Sequence, residues 1–212
     1  DRPNGEIPAL FKYLRSEKMA DVKSIKGTQT EKNLAISYLN EAQSYARYTY
    51  YANQANKELY FPIGVVFNVT AANELRHGKI FLGFLQGGSV MAPTPVDALP
   101  PSGTIENLKI SISEEQNEGV DAYIKYAQIA EQEGFTDIAS KFRAIAQIEQ
   151  EHLNRFRRLL QQVETGTVWK RDKPILWQCL VCGYQVEALE PPKVCPACSH
   201  PYQHYMATDI LL

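Results

Sequence analysis

The chain has 212 residues, 44% of them hydrophobic and 22% charged, with a formal net charge of −2. That balance is the composition of an ordinary globular protein of one or two domains, and it excludes a disordered tail or a fibre. The absence of a sustained basic stripe argues against a nucleic acid or an anionic membrane as partner, and no apolar run approaches the length that spans a bilayer.

Residues 1–21 are read as an N-terminal extension of unknown role. Met19-Ala20 resembles an ordinary start, while Ile7, Leu10, Phe11 and Leu14 recur at helical spacing among Lys12, Arg15 and Lys18. A short docking helix, a targeting remnant and an appended tag all fit this stretch. The first long helix opens at Thr28-x-x-Glu31, a capping-box pattern. Its seam reads Leu34, Tyr38, Glu41, Tyr45, Tyr48, Ala52, Ala55, so a glutamate occupies a core position.

The second helix is expected to begin at Pro62 and to stop at Gly87-Gly88. Its apolar stripe runs Ile63, Phe67, Thr70, Glu74, His77, Phe81, Leu85, in steps of four and three. A carboxylate and an imidazole therefore stand one turn apart on a core face. An unpartnered buried carboxylate costs several kcal/mol or stays protonated, so a positive partner is expected opposite Glu74.

Residues 86–104, with Pro93, Pro95, Pro100 and Pro101, cannot continue a helix but are long enough to run the length of a bundle. One such crossover between two helix pairs is the ferritin-like form of the four-helix bundle. The third helix is expected from Thr104 to Gly134, with a seam of Leu108, Ile112, Glu115, Glu118, Ala122, Tyr126 and Ile129. The fourth runs from Thr136 to near Gly166, its seam reading Ile138, Phe142, Ile145, Glu149, His152, Phe156, Leu159. Shifted by 75 residues, Ala55 to His77 lies over Ala130 to His152 without a gap, pairing Glu74 with Glu149 and His77 with His152. Glu115 answers to Glu41 with one residue of slippage. Glu118 answers to Ser44 and has no carboxylate counterpart, so the two halves are not equivalent; one metal is offered an additional oxygen.

Glu41, Glu74, His77, Glu115, Glu118, Glu149 and His152 are thus the candidate ligands of a two-metal centre: one Glu from each of two helices, a Glu-x-x-His from each of the others, and the extra Glu118. Oxygen donors with one imidazole per metal suit iron or manganese better than zinc. A lone pair of this kind is more often a surface ion pair or a hydrogen-bonded core histidine. Four helices placing acids in their seams, in a repeat, favour the metal. Tyr48 and Tyr123 lie on the same stripes, where they serve either as hydrogen-bond donors to ligand carboxylates or as plain core. Glu114, Glu133 and Glu151 are set aside as neighbours off the seam, and His200 and His204 are expected on the surface without a role.

After a linker at residues 166–176, the segment 177–212 holds all four cysteines, as Cys179-x-x-Cys182 and Cys195-x-x-Cys198. Two such knuckles close a tetrahedral S₄ site, and a module of about 35 residues needs a metal staple. Zinc and a single iron both fit; spacing alone favours a structural zinc ribbon. Paired thiols of this kind predict a reducing compartment, the cytoplasm.

The wording of the chain then resembles the rubrerythrin family across residues 22–206. The phrases that carry the likeness are Ser24-Ile-Lys-Gly-Thr-Gln-Thr-Glu-Lys-Asn-Leu34, Arg47-Tyr-Thr-Tyr50, Ala72-Asn-Glu-Leu-Arg-His77, Glu131-Gln-Glu-Gly-Phe135, Trp177-x-Cys-x-x-Cys-Gly-Tyr184 and Cys195-Pro-Ala-Cys198-x-His-Pro201. The resemblance implies an all-α ferritin-like di-iron bundle at 22–165 with a rubredoxin-like domain at 177–212, iron rather than zinc in the cysteine site, and no organic cofactor. It further implies reduction of hydrogen peroxide to water, electrons from an NAD(P)H-dependent reductase or a rubredoxin, and a homodimer or larger assembly in which one chain's cysteine domain approaches another's di-iron centre. The alternatives are an iron-binding ferroxidase and a non-redox bundle with structural zinc. Two departures stand out. Ser199 follows the last cysteine where a small residue such as Gly is usual, and Gly119-Val-Asp-Ala122 differs from the family's wording after the second third-helix acid.

Overall fold

The computed structural model describes residues 23–96 and 98–211; the expectations for residues 1–21 lie outside them. Helix α1 spans Gln29–Lys57, and its first turn is satisfied from two sides. Thr28 Oγ1 accepts from the Glu31 N–H, while Glu31 Oε2 accepts from Gly27 rather than from the cap residue itself. Glu133 reaches across from the other helix pair to accept from Gln29 N, Thr30 N and the Thr30 hydroxyl. An acid that lay off the seam is therefore an inter-helix cap, favoured by the helix dipole.

Helix α2 covers Phe61–Phe84 and pairs with α1. It ends three residues before Gly87, because Leu85 already turns extended. The hairpin is tight: a Cβ at Gly64 would come within 2.3 Å of the Asn56 side chain. The segment after α2 returns along α1, where the Thr94 hydroxyl donates to Asn40.

The third rod is not one regular helix. α3 (Thr104–Glu114) passes through a π-helical stretch, Glu115–Asp121, into α4 (Ala122–Gln132). The wide turn carries one extra residue and rotates everything after it. The expected seam of Ala122, Tyr126 and Ile129 is only half-buried, and Tyr123, Ala127 and Ala130 take the core instead. This accounts for the slippage in the repeat: Tyr48/Tyr123, Ala52/Ala127 and Ala55/Ala130 are 75 apart, whereas Glu41/Glu115 are 74 apart.

α5 (Thr136–Glu164) packs along this rod, and its whole predicted seam from Ile138 to Leu159 is buried. On α1, Tyr45 is 40% exposed, against expectation. It sits on the outer shoulder of the stripe, and Ser44 faces inward in its place. Two apolar clusters fill the bundle, one around Tyr48, Tyr51, Phe67 and Phe156, the other around Phe81, Tyr123 and Phe142. No helix among the described residues is long and apolar enough to cross a membrane.

The C-terminal part is a three-stranded antiparallel sheet of order β2-β1-β3, with β1 at Ile175–Cys179, β2 at Gln185–Ala188 and β3 at Tyr205–Ala207. Trp177 and Tyr205 fill its small core. It docks on the bundle by stacked rings, His204 on Phe61 with centroids 4.0 Å apart and Trp169 on Tyr60 at 5.7 Å. His204 is therefore a half-buried contact residue, not a bare surface one. The stacking partner lies 143 positions away in sequence, so no local pattern announces it.

Candidate metal centres

Between the two apolar clusters of the bundle, six buried side chains form two groups of metal-ligating atoms. One comprises Glu41, Glu74, His77 and Glu149; the other comprises Glu74, Glu115, Glu149 and His152. Glu74 and Glu149 belong to both, and their oxygens divide evenly. His77 Nδ1 lies 3.0 Å from Glu74 Oε2 and 2.9 Å from Glu149 Oε1, while His152 Nδ1 lies 3.1 Å from Glu74 Oε1 and 2.8 Å from Glu149 Oε2. Glu41 Oε1 stands 3.8 Å from the first imidazole and Glu115 Oε1 3.7 Å from the second. Each shared carboxylate thus presents one oxygen to each position, the arrangement of two bridging and two terminal acids.

The helical spacing explains how this arises. An i, i+3 pair on α2 and another on α5 point the same way from facing helices, and Gly78 lets α1 come close enough that a Cβ there would meet Glu41 Cβ at 3.3 Å. The hydroxyls of Tyr48 and Tyr123 donate to Glu115 Oε1 (2.7 Å) and Glu41 Oε1 (2.5 Å), which orients the two terminal acids. Glu74 Oε1, both Glu149 oxygens and His152 Nδ1 are buried and face only the other ionisable groups of the site. Concentrating buried acids in this way is costly, and a cation at each position satisfies all of these atoms at once.

The electrostatics say the same. Burial, then the charges of neighbouring acids, push the carboxyls of Glu41 and Glu115 well above the ordinary range. Burial acts on Glu74 too, but His152 and His77 outweigh it and hold Glu74 at about 2. Burial opposes protonation of His77, yet hydrogen bonds and charge from Glu149 and Glu74 raise it to about 9. Without cations the site therefore holds itself together with protons.

Metal-free protein should accordingly lose stability as pH rises. The His77 contribution is complete below its ordinary value of 6.5 and is lost as pH climbs to about 9. Glu41 and Glu115 act with the same sign, opposing folding once pH passes their ordinary 4.5. Glu74 acts in the other direction, contributing above 4.5 and failing only as pH falls toward 2. Urea midpoints of the metal-free chain should fall steadily between about pH 6 and pH 9, and a flat profile would contradict this account. Metal affinity should rise over the same interval, because binding displaces protons.

Glu118 lies outside both groups. It is half-buried at the edge of a cavity of about 20 Å³, beside Asn40, Ser44 and Gly119, which is room for about one water molecule. The widened turn brings Gly119 in over Glu115 and Glu149. A Cβ at Gly119 would approach Glu149 Cβ and Cγ to 2.8 Å, so only glycine allows this helix to lie against Glu149.

Sequence reasoning missed three contributors. Gly119 was seen only as odd wording. Asn73 Nδ2 lies 3.1 Å from His152 Nε2, a polar contact at the ring nitrogen that does not face the acids, which orients the imidazole. Glu114 pairs with Arg47 at 2.7 Å beside the cavity. Their signal lies in tertiary neighbours, not in spacing.

In the C-terminal domain Cys179 Sγ lies 3.7 Å from Cys198 Sγ, and Cys182 Sγ 3.7 Å from Cys195 Sγ. A disulfide would need about 2.05 Å. Metal–sulfur bonds of about 2.3 Å in a tetrahedron give an edge near 3.8 Å, which matches. Cys182 is exposed and Cys179 and Cys195 are buried, so the site has one open side. The knuckles turn through left-handed residues, Gly183 (φ 78°) and Ser199 (φ 60°). A serine there costs about 1 kcal/mol relative to a conformation that L-residues favour. The two bundle groups fit a pair of iron ions and the four cysteines a third.

Comparison with known proteins agrees with these donor sets. The family model described as rubrerythrin matches residues 32–160 and 106–176, and the model described as the rubrerythrin rubredoxin-like domain matches 177–206. A rubrerythrin of Porphyromonas gingivalis is 43% identical over 183 residues, covering 86% of this chain and 92% of that protein. One from Clostridium perfringens is 40% identical, covering 87% and 96%. A solved structure of mixed-valent nigerythrin aligns with a TM-score of 0.58 at 26% identity, over 89% of this chain and 90% of that one. With both of its parts matched by that family's models and such relatives spanning most of its length, the chain belongs to the rubrerythrin family.

Proposed function

We propose that the chain reduces hydrogen peroxide to water at two iron ions held between α2 and α5, with electrons relayed through iron bound by the four cysteines. The observation that carries this reading is the presence, in one chain, of a buried two-cation site and an S₄ centre docked on the same bundle. A protein that only stores or moves iron has no use for the second. When bound, the iron pair supplies two electrons and a Lewis-acidic seat for the peroxide oxygens.

The protein's part is positional. Glu74 and Glu149 would hold both cations, and the clusters around Phe67 and Phe142 keep bulk water away. Tyr48 and Tyr123 fix Glu115 and Glu41. We assign Glu118, at the cavity edge, as the residue that would offer one position an additional carboxylate oxygen. Reduction of one peroxide to two waters takes two electrons and two protons. Electrons enter through the open side at Cys182, from an NAD(P)H-dependent reductase or a rubredoxin, in a reducing compartment that keeps the thiols free. Pairing of two chains would bring one chain's cysteine domain to another's bundle.

Stopped-flow reoxidation of the fully reduced, iron-loaded protein tests the reading. Peroxide should reoxidise it at least about tenfold faster than dioxygen at equal concentration, about 1.4 kcal/mol in barrier. Equal rates would overturn the assignment, and loss of iron from the bundle over repeated turnovers would replace it with a ferroxidase.

A further inference from the structure

The small core of the cysteine domain holds a polar atom that packing does not explain. Tyr205 is fully buried among Trp177, Cys179, Cys195 and Ala207, and no oxygen or nitrogen among the described residues accepts from its hydroxyl. A buried hydroxyl without a partner is destabilising relative to the plain ring, so phenylalanine would serve this core better unless the oxygen has a use. What it faces is sulfur: the hydroxyl hydrogen-bonds to the Cys195 side chain, to which the backbone N–H groups of Ala197 and Cys198 also donate. Cys195 is itself only 1% exposed, so water does not compete for that sulfur. The ring is held from its backbone. Strand β3 sets Tyr205 opposite Cys179, and its carbonyl accepts at 3.0 Å from Nε1 of Trp169, the ring stacked on Tyr60 of the bundle.

We propose that the Tyr205 hydroxyl sets the reduction potential of the cysteine-bound iron by donating a hydrogen bond to the Cys195 thiolate. A metal-bound thiolate carries no proton, so the hydroxyl is the donor. With four thiolates the site carries one net negative charge when the iron is ferric and two when it is ferrous. A fixed donor stabilises the more negative form more, and so raises the potential. The step it biases is the transfer of one electron: the reductase or rubredoxin is oxidised, ferric iron becomes ferrous, and no proton moves. Tyr205 touches a ligand and not a substrate, which makes it a positioning residue. The inference deepens the relay reading and rests on it for its purpose, since a higher potential makes the cysteine iron easier to reduce by the donor.

Spectroelectrochemical titration of the iron-loaded full chain, followed at the ferric thiolate absorption, is the test. Tyr205→Phe removes the hydroxyl and keeps the ring. At the natural chain's midpoint the ratio of ferrous to ferric cysteine iron should fall about tenfold, a drop of about 59 mV for a one-electron couple, with the iron content of that site unchanged. Tyr202→Phe, which removes a hydroxyl from an exposed side chain of the same domain, should leave the midpoint where it was. Site-specific 3-fluorotyrosine at position 205 keeps the ring and makes the hydroxyl a stronger donor, so the midpoint should rise; this arm decides the matter if the phenylalanine variant does not hold iron. An unchanged or higher midpoint in Tyr205→Phe overturns the proposal, as does the absence of a rise with the fluorinated ring. No peroxide enters the measurement, so its outcome is independent of whether the bundle iron prefers peroxide to dioxygen.

Discussion

Glu149→Gln is expected to empty the bundle of both irons while the cysteine-bound iron stays. Four carboxylates and two neutral imidazoles surround the two positions, and their four negative charges balance two divalent cations. The substitution keeps shape and volume but leaves one uncompensated positive charge in a site shielded from water, a cost of several kcal/mol. Glu149 presents one oxygen to each imidazole-bearing position, so both lose a bridging donor together. Affinity at each should fall by about a hundredfold or more. Metal analysis should drop from about three irons per chain to about one, with the visible absorption of ferric thiolate intact. Retention of two bundle irons would show that Glu149 is not a shared ligand.

Cys182→Ser should have the complementary effect. It removes one corner of a tetrahedron of which two edges are 3.7 Å, and a serine hydroxyl does not replace a thiolate as a soft donor. Because Cys182 is the exposed member, the change does little to the packing around Trp177 and Tyr205. Steady-state peroxide turnover should fall by about a hundredfold or more, while a single reoxidation of chemically reduced bundle iron keeps its rate. A variant that still turned over normally would remove the cysteine site from the electron path.

Much of this was readable before any fold was known. The seams of α2 and α5, the 75-residue repeat, the crossover and the cysteine knuckles are properties of spacing and residue type. Spacing and residue type are local, and helix periodicity carries them directly. The six side chains that converge were named from that periodicity and the repeat, together with the two tyrosines that donate to two of them.

The tertiary structure decided the rest. Whether the third rod winds as α or π depends on what its wide turn rests against, and here Gly119 rests against Glu149 from another helix. That contact accompanies the turn of the later seam by one residue. His204 on Phe61 and Glu133 capping α1 likewise join residues far apart in the chain. Such contacts carry no period, so sequence alone could supply the donors and their faces but not the widened turn that sorts them.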